Sequence, residues 1–171
     1  NINHLTFNNN LVPIKLSEDD FGSSVITANI FECDGDYLTK SPHIGVYPQQ
    51  HILLEDVTGI HIGGSGNALN SFYDIYVGIK AIRSSLLVTN SEFVNLKNYN
   101  TQPPQKGVGI LAQNGTATAC TLEVDSRFRN LYRGIFSSGN FDVTIQDCEY
   151  FRDIDGEAIS INCLNYPNTI I

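Results

Sequence analysis

Phe72-Tyr73-Asp74-Ile75-Tyr76-Val77-Gly78-Ile79 recurs, position for position, as Phe128-Arg129-Asn130-Leu131-Tyr132-Arg133-Gly134-Ile135. Phe151-Arg152-Asp153-Ile154 followed by Ala158-Ile159 is a one-residue-longer version. Phe93-Val94-Asn95-Leu96 opens the same unit, then runs through a polar stretch containing Pro103-Pro104 before Gly107-Val108-Gly109-Ile110. Pro and polar residues mark a connection, so residues 97–106 are expected to form a protruding loop inserted into an otherwise regular repeat.

Working outward, an apolar residue followed by an aromatic five positions later appears as Ile2 to Phe7, Ile26 to Phe31, Val88 to Phe93 and Ile145 to Tyr150. Phe72 and Phe128 occupy the same place with looser lead-ins, Leu69 and Val124. Successive aromatics lie 24, 41, 21, 35 and 22 residues apart. The short intervals fit one coil of a repeat architecture. The interval of 35 fits one coil with an insertion, and that of 41 fits either two coils or one with a long loop. Two positions before the aromatics stand Leu5, Asn29, Asn70, Ser91, Ser126 and Cys148. Apart from Leu5 these are small and mostly hydrogen-bonding. Stacked one strand spacing apart, they are expected to bond one another as an internal ladder. Gly-Ile and Gly-Val pairs, including Gly45-Val46 and Gly59-Ile60, open further strands where the chain needs unusual dihedrals or a close backbone approach.

Composition agrees. Hydrophobic residues make up 42% and charged residues only 16%, with no Met or Trp, so Asn, Ser, Thr and Gln must supply much of the polar surface. Ile, Val, Thr and aromatics favour strands, and no twelve-residue window keeps a helical apolar stripe free of Gly and Pro. One such coil cannot bury its own apolar face, whereas stacked coils bury a continuous column. The expected fold is an all-β, right-handed parallel β-helix (β-solenoid) of about six to seven coils, as a single domain over residues 1–171.

The net charge of −8 and the lack of a Lys/Arg cluster argue against nucleic acid as a partner, and no apolar run has the length of a membrane span. The chain begins at Asn1 without a visible signal peptide, and reads as a fragment of a longer chain. The unfinished-looking end, Asn165 to Ile171, suggests continuation or a partner at that edge. Cys33, Cys120, Cys148 and Cys163 form no CxxC pair and suit core packing, while the spacing leaves a Cys148–Cys163 disulfide open.

Gly59-Ile60-His61-Ile62-Gly63-Gly64, the Phe72 to Ile79 unit, Val88-Thr89-Asn90-Ser91-Glu92-Phe93 and Val143 to Tyr150 together resemble the right-handed parallel β-helix repeats of large secreted bacterial surface proteins of the type 9 secretion kind, with a pectin-lyase-like fold. The resemblance spans roughly residues 2 to 163. It implies a secreted or cell-surface location. It carries little about activity, because the same fold hosts polysaccharide-cleaving enzymes, adhesins, phage tailspikes and inert spacers.

A glycoside hydrolase needs paired carboxylates, and the one Asp-Asp pair, Asp19-Asp20, lies in a Gly/Ser-rich stretch that reads as a turn. A lyase needs a base; Lys80, Arg83, Arg127, Arg129 and Arg133 are candidates, but no basic column follows from the repeat. The densest acidic stretch, Asp147, Glu149, Asp153, Asp155 and Glu157, is the candidate Ca²⁺ site, at a spacing unlike an EF-hand loop. His4, His43, His51 and His61 read as surface or turn residues. Tyr73, Tyr76 and Tyr132 flank one strand-turn in successive repeats, and Tyr99 sits in the insertion. These four are the glycan-contact candidates. The expectation is a non-catalytic scaffold, or an adhesion and glycan-contact segment. A polysaccharide lyase or glycoside hydrolase, and a phage tailspike-like fibre, are the alternatives.

Overall fold

The computed structural model describes residues 1–10, 12–22, 24–33, 49–64, 68–98, 105–163 and 169–170. Among them there is no helix, hence none long and apolar enough to cross a membrane. The strands form an 11-stranded and a six-stranded sheet, both parallel throughout, and a two-stranded antiparallel pair. The chain visits the two large sheets alternately. Ile14–Asp20, Gln50–Thr58, Val77–Ile82, Val108–Asn114, Arg133–Gly139 and Ile159–Cys163 build the smaller sheet, and the strands before, between and after them, apart from the antiparallel pair, build the larger one. Each pass therefore adds one layer to both sheets, an arrangement compatible with a parallel β-solenoid.

Register places repeat-equivalent residues side by side. In the smaller sheet Ile14, Ile52, Ile79, Ile110, Ile135 and Ile159 are successive partners. In the larger, Ile2, Ile26, Ile62, Val88, Val124 and Ile145 are. A second run of that sheet aligns Phe7, Phe31, Phe72, Phe93, Phe128 and Phe151. Their rings stack with centroids 4.7–5.0 Å apart and planes within 6° of parallel. Two expectations are thereby corrected and one open choice is decided. The sixth ladder member is Phe151 rather than Tyr150, because Phe151 follows Ile145 by six residues where Phe7, Phe31 and Phe93 follow Ile2, Ile26 and Val88 by five; Tyr150 turns outward and donates from its hydroxyl to Glu92 Oε1 at 2.9 Å. The 41-residue interval is a single pass, since Phe31 and Phe72 are direct ring neighbours. The lead-in to Phe72 is Ile62, not Leu69.

Of the polar positions, expected to bond one another, only Asn29 and Asn70 do so side chain to side chain, at 3.3 Å, and the others reach backbone carbonyls. Asn29 Nδ2 donates to Ile2 O at 3.1 Å and Asn70 Nδ2 to Ile26 O at 2.8 Å. Ser126 and Cys148 reach Val88 O and Val124 O at 3.4 and 3.7 Å. Asn70 Oδ1 accepts from the Asn29 backbone N–H at 3.0 Å. These bonds satisfy backbone groups where the larger sheet bends between its two runs. Two residues after the ladder phenylalanines, Asn9, Asp74, Asn95, Asn130 and Asp153 all have φ between 53° and 70°. Asn and Asp tolerate that left-handed region better than other side chains, which explains the Phe-x-Asn/Asp-Ile/Leu motif.

The Gly-Ile motif has a packing cause. A Cβ on Gly78, Gly109 or Gly134 would stand 2.5–2.7 Å from the ring of Phe93, Phe128 or Phe151 in the following pass. Gly109→Ala is expected to cost roughly 1–3 kcal/mol through overpacking, because its Cβ would also lie 2.6 Å from Gly134 O. Gly115→Ala, which meets nothing within 4 Å, should be near neutral when the two variants are compared by urea unfolding. His51 departs from the pattern. It sits opposite Gly78 in register and is buried at 1% exposure, its ring 5.7 Å from Phe31 and 6.0 Å from Phe72. The surface or turn reading of His51 is thus corrected to a core position. Asp19 and Asp20 likewise end a strand, opposite Val57 and Thr58, and are not confined to a turn.

Of the 97–106 insertion, Lys97–Asn98 pairs antiparallel with Gln105–Lys106. Residues 99–104, with Tyr99 and the two prolines, lie outside the described residues, as do Gly45-Val46, His43 and Asn165 to Asn168 with Ile171.

Candidate functional site

Tyr76 and Tyr132 are brought to one place. Their neighbours Val77 and Arg133 both pair with Val108, so Tyr76, Gly107 and Tyr132 occupy the same position in three successive passes. With Gln105, Lys106 and Asp155 they line an open hollow. Lys106 Nζ spans it to Asp155 Oδ1 at 2.8 Å. Tyr132 is 45% exposed. Its ring carries the Arg133 guanidinium 5.1 Å from the centroid, and Gly156 abuts its Cε2–Cζ edge. Tyr73 does not join this hollow; it lies in the larger sheet beside Phe72 and opposite Val94.

The acidic stretch is dispersed by its cationic partners. Glu149 pairs with Arg127, Glu157 with Arg133 and Asp155 with Lys106, while Asp153 lies 3.6 Å from Arg152. The Arg133 hydrogen bond holds the Glu157 carboxyl below its usual range. Among the described residues no three His, Cys, Asp or Glu side chains gather as metal ligands. Three of the candidate bases are engaged too: Arg127 and Arg133 with the glutamates above, and Arg83 in a bidentate contact with Asp56, both bonds 2.6 Å. Cys120 and Cys148 are free thiols, so Cys148 is not disulfide-bonded, and Cys33 is buried; the Cys163 side chain lies outside the described residues.

A groove on the outer face of the larger sheet gave no motif in the sequence. Val25, His61, Leu87 and Glu123 are neighbours in successive passes, and Thr89 is opposite Asp125. Three contiguous hollows follow these residues. The first two share Val25 and His61, and the third is reached through Gly64 and holds Thr89, Asn90, Asp125, Arg127, Asp147 and Glu149. His61 Nε2 is 2.7 Å from Thr89 Oγ1. Burial pushes the Asp125 carboxyl up, the charge of Asp147 adds to this and Arg127 opposes it. The signal that could have found the groove is register: residues flanking the buried Ile/Val column must face outward together.

Comparison with protein-family models, with curated proteins and with solved structures yields no match to this chain.

Proposed function

We propose that the chain is a closed, right-handed parallel β-helix forming part of a secreted or cell-surface protein, and that it serves as a non-catalytic scaffold with glycan-contacting surfaces. Parallel strands joined by crossovers are right-handed in nearly all proteins, which supports the handedness. The observation that carries the scaffold reading is the phenylalanine ladder with its flanking columns. Nearly every recurring residue serves stacking, bending or close approach, so the repeat builds length and surface. Tyr76 and Tyr132, facing one hollow with the Lys106–Asp155 pair, support glycan contact, since aromatic edges and a paired ammonium and carboxylate suit sugar hydroxyls.

One observation favours a hydrolase as the second reading: Asp125 and Asp147 share a hollow, and burial makes Asp125 hold its proton more tightly than usual, as a general acid must. A panel of polysaccharides assayed for reducing-sugar release and for unsaturated-uronate absorbance separates the two. The scaffold reading expects neither signal above blank. Release that vanishes in Asp125→Asn or Asp147→Asn would replace it with the hydrolase.

A further inference from the structure

The linear sequence holds no cluster of cations, but the register makes one. On the larger sheet Arg127 is opposite Tyr150 and Arg129 is opposite Arg152, while Phe128 and Phe151 between them turn inward to the ring ladder. Alternate residues of a strand take opposite faces, so Arg127, Arg129, Tyr150 and Arg152 leave the sheet together on its outer face. Arg129 and Arg152 are both exposed, and their Cα atoms stand about one strand spacing, ~4.8 Å, apart. Like charges directly opposite on neighbouring strands destabilise a sheet. Acidic residues outnumber basic ones 18 to 10 in this chain, so a carboxylate was the commoner neighbour available to Arg129.

The carboxylates nearby do not neutralise the pair. Glu149 is taken by Arg127, and Glu92 accepts the Tyr150 hydroxyl. Asp153 lies 3.6 Å from Arg152, with the two side chains 63% and 71% exposed, and ion pairs so open to water contribute little. On the preceding pass the neighbour of Arg129 is Val94, buried and apolar. Arg129 itself makes no ion pair among the described residues.

A guanidinium presents its N–H donors as a rigid planar fork. A carboxylate has two oxygens in one plane, and a single fork fills them. A sulfate or phosphate group directs its oxygens several ways, so it can serve two forks at once through charge-assisted bonds. Two forks one strand spacing apart therefore suit a tetrahedral oxyanion, whose charge also removes their mutual repulsion.

We infer that Arg129 and Arg152 form a site for a single tetrahedral oxyanion, sulfate or phosphate, held between their guanidinium groups on the outer face of the larger sheet. The site spans two passes, lies apart from the tyrosine hollow and does not depend on the glycan reading. Its occupant is the free ion or the monoester group of a larger molecule.

The test is nuclear magnetic resonance of the arginine Nε–H groups, with isotope-labelled protein titrated with sodium sulfate at an ionic strength held constant by sodium chloride. The expected result is that the Arg129 and Arg152 signals shift together and saturate at one midpoint, while that of Arg83, already held by Asp56, does not follow. Inorganic phosphate should saturate the same two signals, and acetate should not. Arg129→Gln and Arg152→Gln, each first matched to the parent by thermal unfolding, should weaken sulfate binding roughly tenfold or more, the loss of a charge-assisted bond. Methyl sulfate and methyl phosphate separate the sources. Saturation by these esters near the midpoint of the free ions assigns a group carried on a larger molecule, and saturation by the inorganic ions alone assigns a free ion. Shifts that grow without saturating, an equal response at Arg83, or acetate binding as tightly as sulfate would overturn the site. So would sulfate binding that is unchanged in both glutamine variants.

Discussion

Phe93→Ala is expected to destabilise the protein by about 3–5 kcal/mol, the range for truncating a buried phenylalanine. Phe93 is fully buried and its ring lies between Phe72 and Phe128, 4.7 Å and 5.0 Å away. Truncation leaves a ring-sized gap in the middle of the ladder, and the backbone cannot close it because Val94 and Glu92 are pinned in register to strands on both sides. Phe7→Ala offers the contrast. Phe7 is only half-buried and stacks on a single ring, that of Phe31, so its loss should cost clearly less. Urea unfolding of both variants checks the pair. Equal costs would mean that the ladder is not a continuous packed column.

Acid should weaken the protein in a window set by His51. Burial lowers its pKa from 6.5 to about 4, against a smaller opposing effect of the hydrogen bond to Tyr73 O. The 2.7 Å contact between Nε2 and that carbonyl requires the neutral tautomer with the proton on Nε2. Nδ1 then faces the apolar core without a hydrogen-bond partner among the described residues. The unfolded chain takes up a proton near pH 6.5 and the folded chain does not until about pH 4. The stability contributed by neutral His51 is therefore fully present above pH 6.5, and is lost as pH falls through the interval down to about 4. A displacement of this size corresponds to roughly 3 kcal/mol. Denaturant midpoints between pH 7 and pH 4 should fall steeply in the parent and much less in His51→Leu. Parallel slopes in the two proteins would show that His51 is not the group responsible.

The repeat was legible because most of its residues answer to one local constraint each. The ladder phenylalanines, the Asn/Asp two positions on and the glycine before Ile are fixed by stacking, by left-handed backbone and by ring contact respectively, and each leaves a distinct residue type in the sequence. What was illegible depended on bend length. Val124 reaches Phe128 in four residues, Val88 reaches Phe93 in five, and Ile145 reaches Phe151 in six. A ruler of fixed length consequently chose Tyr150 over Phe151. The bulge between Thr89 and Glu92 absorbs the same variation inside a paired strand. His51 escaped notice for a related reason. It fills a glycine position, and nothing in the residues around it announces a core imidazole.

Among the site candidates, equivalence in the repeat placed Tyr76 and Tyr132 together correctly, because stacking conserves position from pass to pass. Proximity in sequence misled for the acidic stretch, whose carboxylates are drawn to arginines and a lysine on other passes. The outer groove assembles from residues about one pass apart, each unremarkable where it stands in the chain. Only the register aligns them.

The stacked parallel architecture is tested most directly by nuclear Overhauser contacts in solution. The account predicts ring-to-ring contacts for Phe31–Phe72, Phe72–Phe93 and Phe93–Phe128, together with the amide-to-Hα contacts of parallel pairing along Ile52, Ile79, Ile110 and Ile135. Close Hα-to-Hα contacts between those strands, the mark of antiparallel pairing, or rings without mutual contacts, would contradict it.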